Sequence, residues 1–75
     1  MNRTERAFLR DVKDAVDDWE YSYDAFHTEY GEFQVTIYIE EEFDYDEVWD
    51  AISEAIEDWD ADMDSSGNEF YVCLH

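Results

Sequence analysis

Between Glu40 and Asp64 the chain reads EEEFDYDEVWDAISEAIEDWDADMD, where 13 of 25 residues are Asp or Glu and none is Lys or Arg. A stretch this charged folds only if its few apolar residues share one face. Tyr45, Val48, Trp49, Ile52, Ala55, Ile56 and Trp59 recur at intervals of three and four, which gives a helix one apolar side and leaves carboxylates over the rest. Asp44 and Glu47 have the spacing of a capping box, and Phe43 and Val48 that of a hydrophobic staple. The pattern therefore predicts a helix starting near 44 and running to about 59. A disordered acidic tract needs neither a cap nor tryptophan.

A second amphipathic helix is predicted over residues 4–19, with Phe8, Val12, Ala15, Val16 and Trp19 on one face and Asn2 with Glu5 as its cap. Residues 21–27 alternate as a strand, and residues 28–32 carry Gly31 and read as a hairpin loop. Residues 33–39 alternate most cleanly, with Phe33, Val35, Ile37 and Ile39 inward and Gln34, Thr36 and Tyr38 outward. After the acidic helix, 61–64 reads as a short edge strand, 65–68 as a turn, and Phe70, Val72 and Leu74 as the apolar side of a last strand. At an offset of 40, Phe8, Val12, Ala15, Val16, Asp18 and Trp19 match Val48, Ile52, Ala55, Ile56, Asp58 and Trp59. The expected fold is thus α+β: two helices on one face of a mainly antiparallel sheet, αββαββ, or αββαβ if 61–64 does not pair.

Seventy-five residues make a single compact domain, and 45% hydrophobic with 19% aromatic residues suffices for a core. The formal charge of -19 is far beyond what solubility requires of a small domain, roughly 2 to 8 in magnitude. All four strong bases, Arg3, Arg6, Arg10 and Lys13, precede a run from Asp14 to His75 with 21 carboxylates and no Lys or Arg. Such repulsion predicts that stability rises with salt and with mild acidification. One cysteine, Cys73, excludes an internal disulfide, and no run reaches membrane-spanning length. The default location is cytoplasmic, and anionic membranes and nucleic acid are disfavoured as direct partners because both would repel the chain.

Enzyme chemistry has little footing. His27 and His75 stand apart in sequence, Cys73 reads as a small sheet residue with no base to activate it, and carboxylates are too abundant for any pair to be diagnostic. Asp60, Asp62, Asp64 and Gly67 invite a calcium-loop reading, but the sixth and twelfth positions of that loop, where Gly and Glu belong, hold Ser65 and Tyr71. On a strand the same aspartates form a row of charge that protects a sheet edge from aggregation. No catalytic residue, metal ligand or cofactor is therefore assigned.

Acids also crowd the predicted helix C-termini: Asp17, Asp18 and Glu20 at the first, Glu57, Asp58 and Asp60 at the second. Each opposes the helix dipole at a cost of about 0.3–1 kcal/mol, and a local rule broken without compensation points to function. In size, charge and scarcity of lysine the chain resembles the small phage-encoded DNA mimics that inhibit restriction enzymes or CRISPR complexes. That resemblance implies an inhibitor that competes with nucleic acid for a Lys/Arg-rich cleft of a host protein. The surface expected to carry it is Glu40, Glu41, Glu42, Asp44, Asp46, Glu47, Asp50, Glu54, Glu57 and Asp58, continuing into Asp60, Asp62 and Asp64, with Tyr38 and Tyr71 as anchors. Alternatives are halophilic adaptation, which also enriches Asp and Glu over Lys, and an acidic adaptor or antitoxin of a basic protein. A halophilic domain needs salt to fold, whereas a mimic is folded at moderate salt and loses its partner there.

Overall fold

The computed structural model describes residues 1–75. Two helices, α1 (Arg3–Ala15) and α2 (Tyr45–Ala55), pack on one face of a sheet formed by β1 (Tyr21–His27), β2 (Phe33–Ile39), β3 (Ala61–Ser66) and β4 (Glu69–Leu74). All pairings are antiparallel, in the order β1-β2-β4-β3. The predicted α+β class holds, and the fourth strand forms, longer than predicted, with Ser65 and Ser66 inside it and only Gly67 and Asn68 left as the turn. Gly67 has φ 61, a backbone conformation that costs glycine nothing and side-chain-bearing residues much more.

The two αββ units are related by an approximate two-fold axis between β2 and β4. Adding 40 carries Tyr21 to Ala61, and their ladder partners, Ile39 and Leu74, correspond at an offset of 35 because the second hairpin is shorter. The sequence echo of the helices thus extends to the pairing of the hairpins that follow them. Phe8, Val12 and Val16 from the first unit meet Val48, Ile52 and Ile56 from the second over Phe33, Val35, Ile37, Ile39, Phe70 and Val72, a single buried cluster. At about 25 cal/mol per Å² of apolar surface removed from water, this cluster is the main source of stability.

Both helices end earlier than predicted. Val16 and Ile56 are the C-caps, and each chain then turns through i→i+3 bonds, Trp19 N–H to Val16 C=O at 3.0 Å and Trp59 N–H to Ile56 C=O at 2.9 Å. Asp17, Asp18, Glu57 and Asp58 accordingly follow the C-caps directly, at the negative end of each helix dipole. The N-termini match the reading better. Asn2 and Glu5 form a complete reciprocal box at 2.8 and 3.0 Å, while Asp44 accepts from Asp46 and Glu47 N–H without a return bond from Glu47. Trp19, Trp49 and Trp59 flank the core half-buried and do not fill it; the Trp59 indole N–H donates to Asp11 Oδ2 at 3.1 Å. No helix is long and apolar enough to cross a membrane.

Candidate functional site: a carboxylate surface

All thirteen carboxylates singled out above are exposed, and Tyr38 and Tyr71 are half-buried. They do not form one flat patch. Glu40, Glu41 and Glu42 line an open groove with Asp44 and Asn68 where β2 gives way to α2. Asp46, Glu47, Asp50 and Glu54 follow along the solvent side of α2, and Glu57 and Asp58 occupy the turn after it. Asp60 precedes β3, and Asp62 and Asp64 alternate along it with Ala61 and Met63, which pack on the core. Asp62 and Asp64 thus face away from the helices. The single continuous surface expected from the sequence becomes a band that starts on the α2 side and turns round the β3 edge.

On the uncovered face of the sheet, ladder partners bring four strands into register. One row is Ser22, Tyr38, Glu69 and Ser66; the next is Asp24, Thr36, Tyr71 and Asp64; the third is Phe26, Gln34, Cys73 and Asp62. Both tyrosines therefore sit with Asp62 and Asp64 and away from the α2 carboxylates. Asp24 and Glu69 extend the acidic rim, and Phe26 adds an exposed aromatic ring, 42% accessible. The period-2 alternation of residues 21–27 already placed Asp24 and Phe26 opposite Ala25; only the strand order places them beside Tyr38 and Tyr71. Burial raises the Tyr71 hydroxyl above its ordinary value of 10.0, with the carboxylate of Glu69 adding to the effect, so the ring presents a neutral O–H donor.

Several members of the band also serve the fold. Glu40 accepts from Ser22 Oγ at 2.7 Å, Glu41 accepts from Glu20 N–H at 2.7 Å, and Asp64 accepts from Ser65 N–H at 2.8 Å. Asp44 caps α2. Glu42, Glu47, Asp50, Glu54, Glu57 and Asp58 make no such side-chain bond and are held out to solvent. The only ion pair to an Arg or Lys in the molecule is Arg10 with Asp11, at 3.8 Å. The four bases lie at intervals of three and four along α1, on the far half of the molecule, where Lys13 Nζ stands 4.5 Å from the Tyr23 ring centroid. The acidic half is left without internal neutralisation.

The histidines, separate in sequence, both find carboxylates. His27 Nε2 lies 2.8 Å from Glu5 Oε2 at the start of α1. His75 is held between Glu32, through Nδ1, and Asp62, through Nε2 at 2.6 Å. Hydrogen bonds donated to Asp62 and then to Glu32 raise the imidazole above its ordinary 6.5. Cys73 lies beside them, its thiol pushed up by burial and then by Glu32 and Asp62, which disfavours the thiolate unless a cation takes the place of the proton. Asp60, Asp62 and Asp64 ride on or next to a strand and do not wrap a loop, which removes the calcium-loop geometry. Compared with protein-family models and with curated proteins, the chain matches none, and the arrangement of charge is what remains to carry a functional reading.

Proposed function

We propose that this protein is an acidic nucleic-acid mimic that inhibits a nucleic-acid-binding host defence protein, of the restriction or CRISPR type, by occupying its basic cleft. The observation that carries the reading is the row of exposed carboxylates on α2 and its flanks, which no Arg or Lys of the chain neutralises. Asp46, Glu47, Asp50 and Glu54 project from about 12 Å of helix axis, roughly one charge per 3–4 Å. One strand of DNA carries a phosphate every 3.4 Å or so. A basic groove closing on such a row releases the same condensed counterions that it releases on DNA. Because the row is built on a capped helix, little ordering entropy is lost on binding. The protein acts by binding and not by catalysis; a neutral Tyr71 hydroxyl and the Tyr38 ring beside carboxylates suit arginine, through hydrogen bonding and cation–π stacking.

The test is capture from host lysate at low salt with the tagged protein, release along a salt gradient, and competition with duplex DNA. The captured partner is expected to bind nucleic acid, to be displaced by DNA, and to dissociate at a few hundred millimolar salt. Single charge changes are worth about 0–1 kcal/mol and leave binding almost intact. Reversing Glu42, Glu47, Asp50, Glu54, Glu57 and Asp58 together is expected to abolish it with the fold retained. A partner that binds DNA and this protein simultaneously refutes mimicry. A chain that unfolds below molar salt supports halophilic adaptation instead.

A further inference from the structure

The geometry points to a second site, apart from the α2 carboxylates and sharing only Asp62 with the band: Glu32, Cys73 and His75 bind a borderline divalent cation of the zinc class, with Asp62 orienting the histidine. Two neighbouring strands bring the ligands together. Glu32 precedes β2, Cys73 lies on the uncovered face of β4, and His75 follows β4 directly. One ligand atom from each, a carboxylate oxygen, a thiol sulfur and an imidazole nitrogen, falls within 4.8 Å of the other two. In a tetrahedral zinc site such atoms stand about 3.5 Å apart, given bonds of about 2.3 Å to sulfur and about 2.0–2.2 Å to nitrogen and oxygen. A cation entering there replaces the direct His75–Glu32 contact, and small side-chain adjustments bring the three atoms to that spacing.

The backbone at each ligand is already pinned. Glu32 C=O accepts from Thr28 N–H at 2.8 Å, and His75 N–H donates to Asp60 C=O at 2.8 Å. Cys73 sits in the ladder between Gln34 and Asp62. The histidine is also held from its other side. His75 Nδ1 faces Glu32 and the space beside Cys73, while Nε2 meets Asp62 Oδ2 at 2.6 Å. A metal-bound histidine characteristically gives its other ring N–H to a carboxylate, which fixes the tautomer and strengthens the donor. Sulfur with imidazole selects zinc, cobalt or copper over calcium and magnesium, which demand oxygen. A net charge of -19 concentrates any such cation at the surface. Binding would staple the end of β4 to the start of β2 and, through Asp62, to the edge strand β3, a frequent device in domains this small.

The test uses the full chain, freed of metal with chelator and kept reduced, titrated with Co²⁺ and then Zn²⁺. One equivalent of Co²⁺ is expected to give the intense visible absorption of a tetrahedral site and a near-ultraviolet thiolate-to-cobalt charge-transfer band, both bleached by Zn²⁺. Zinc at about 100 times its Kd is expected to raise Tm by several degrees. Cys73→Ser should remove the charge-transfer band, and Cys73→Ser and His75→Ala should each weaken Zn²⁺ binding more than about 100-fold. Asp62→Asn should weaken it about 10- to 100-fold, and Glu41→Gln should leave it unchanged. A pale octahedral cobalt spectrum without charge transfer, read on the parent protein, overturns the proposal even if a variant fails to fold. So do several weak equivalents, screened by salt and indifferent to these substitutions, which mark condensation on the acidic surface.

Discussion

Forty residues apart, Phe8, Val12, Val16 and Trp19 of the first αββ unit and Val48, Ile52, Ile56 and Trp59 of the second take equivalent places against the sheet. The same offset carries Arg6 and Arg10 of α1 onto Asp46 and Asp50 of α2. Inward positions agree, whereas these two solvent positions reverse their charge and Asp14, Asp17 and Asp18 keep theirs as Glu54, Glu57 and Asp58. The scaffold accepts cations on its helices, so their absence from the second unit is not a requirement of folding. Most of the charge lies on residues the core does not use, although Glu40, Glu41, Asp44 and Asp64 also accept hydrogen bonds within the fold.

The largest expected effect breaks the inward agreement. Ile52→Ala removes a fully buried side chain and should cost about 2–5 kcal/mol; urea unfolding followed by circular dichroism should find the domain largely unfolded, with Val12→Ala milder. Parent-like stability for Ile52→Ala would contradict the shared core. Next come the caps. Asp44→Ala and Asn2→Ala should each cost about 1 kcal/mol, read as a lower urea midpoint at unchanged slope, and both should exceed Glu42→Ala, which caps nothing.

A smaller effect distinguishes the paired tryptophans. Trp59→Phe loses the bond to Asp11, about 0.5–1.5 kcal/mol, whereas Trp19 makes no such bond and Trp19→Phe should cost less. Equal losses would mean that the Asp11 contact contributes nothing.

The smallest effect is in pH, and the units should respond in opposite directions. At the first, backbone N–H of Asn2 and then His27 hold the Glu5 carboxyl below its ordinary 4.5, so its contribution is complete above 4.5 and is lost as pH falls through the lower folded value. At the second, His75 is raised above 6.5, so its contribution is complete below 6.5 and is lost as pH rises through the higher folded value. Urea midpoints measured with chelator present should show both edges, with His75→Ala flattening the upper edge and Glu5→Gln the lower. An upper edge unchanged in His75→Ala would assign it elsewhere.

Strands were legible because alternation in residues 33–39 and 61–64 is a local signal, and the offset of 40 exposed the repeat. Helix ends were not, because Trp19 and Trp59 keep the apolar period after the backbone has left the α-helix, and no glycine or proline marks the stop. Exposure of the acids could be read from charge alone. Their division between two sides of the sheet could not, since alternation says which residues share a face of one strand and nothing about how that face meets α2. The meeting of Glu32, Asp62 and His75 was hidden for the same reason: it exists only once β4 lies between β2 and β3.

The Trp59–Asp11 bond joins residues 48 apart in sequence and is made only when α1 and α2 lie side by side. Its ring also stands edge-on to Phe8, 5.2 Å between centroids. The protein thus carries its own optical gauge. In a chain left with Trp59 alone, emission wavelength and quenching report whether the two helices are docked, while far-ultraviolet dichroism reports whether they are wound. If the curves for the two signals part during unfolding, the helices separate before they melt; if they coincide, the two units fold as one.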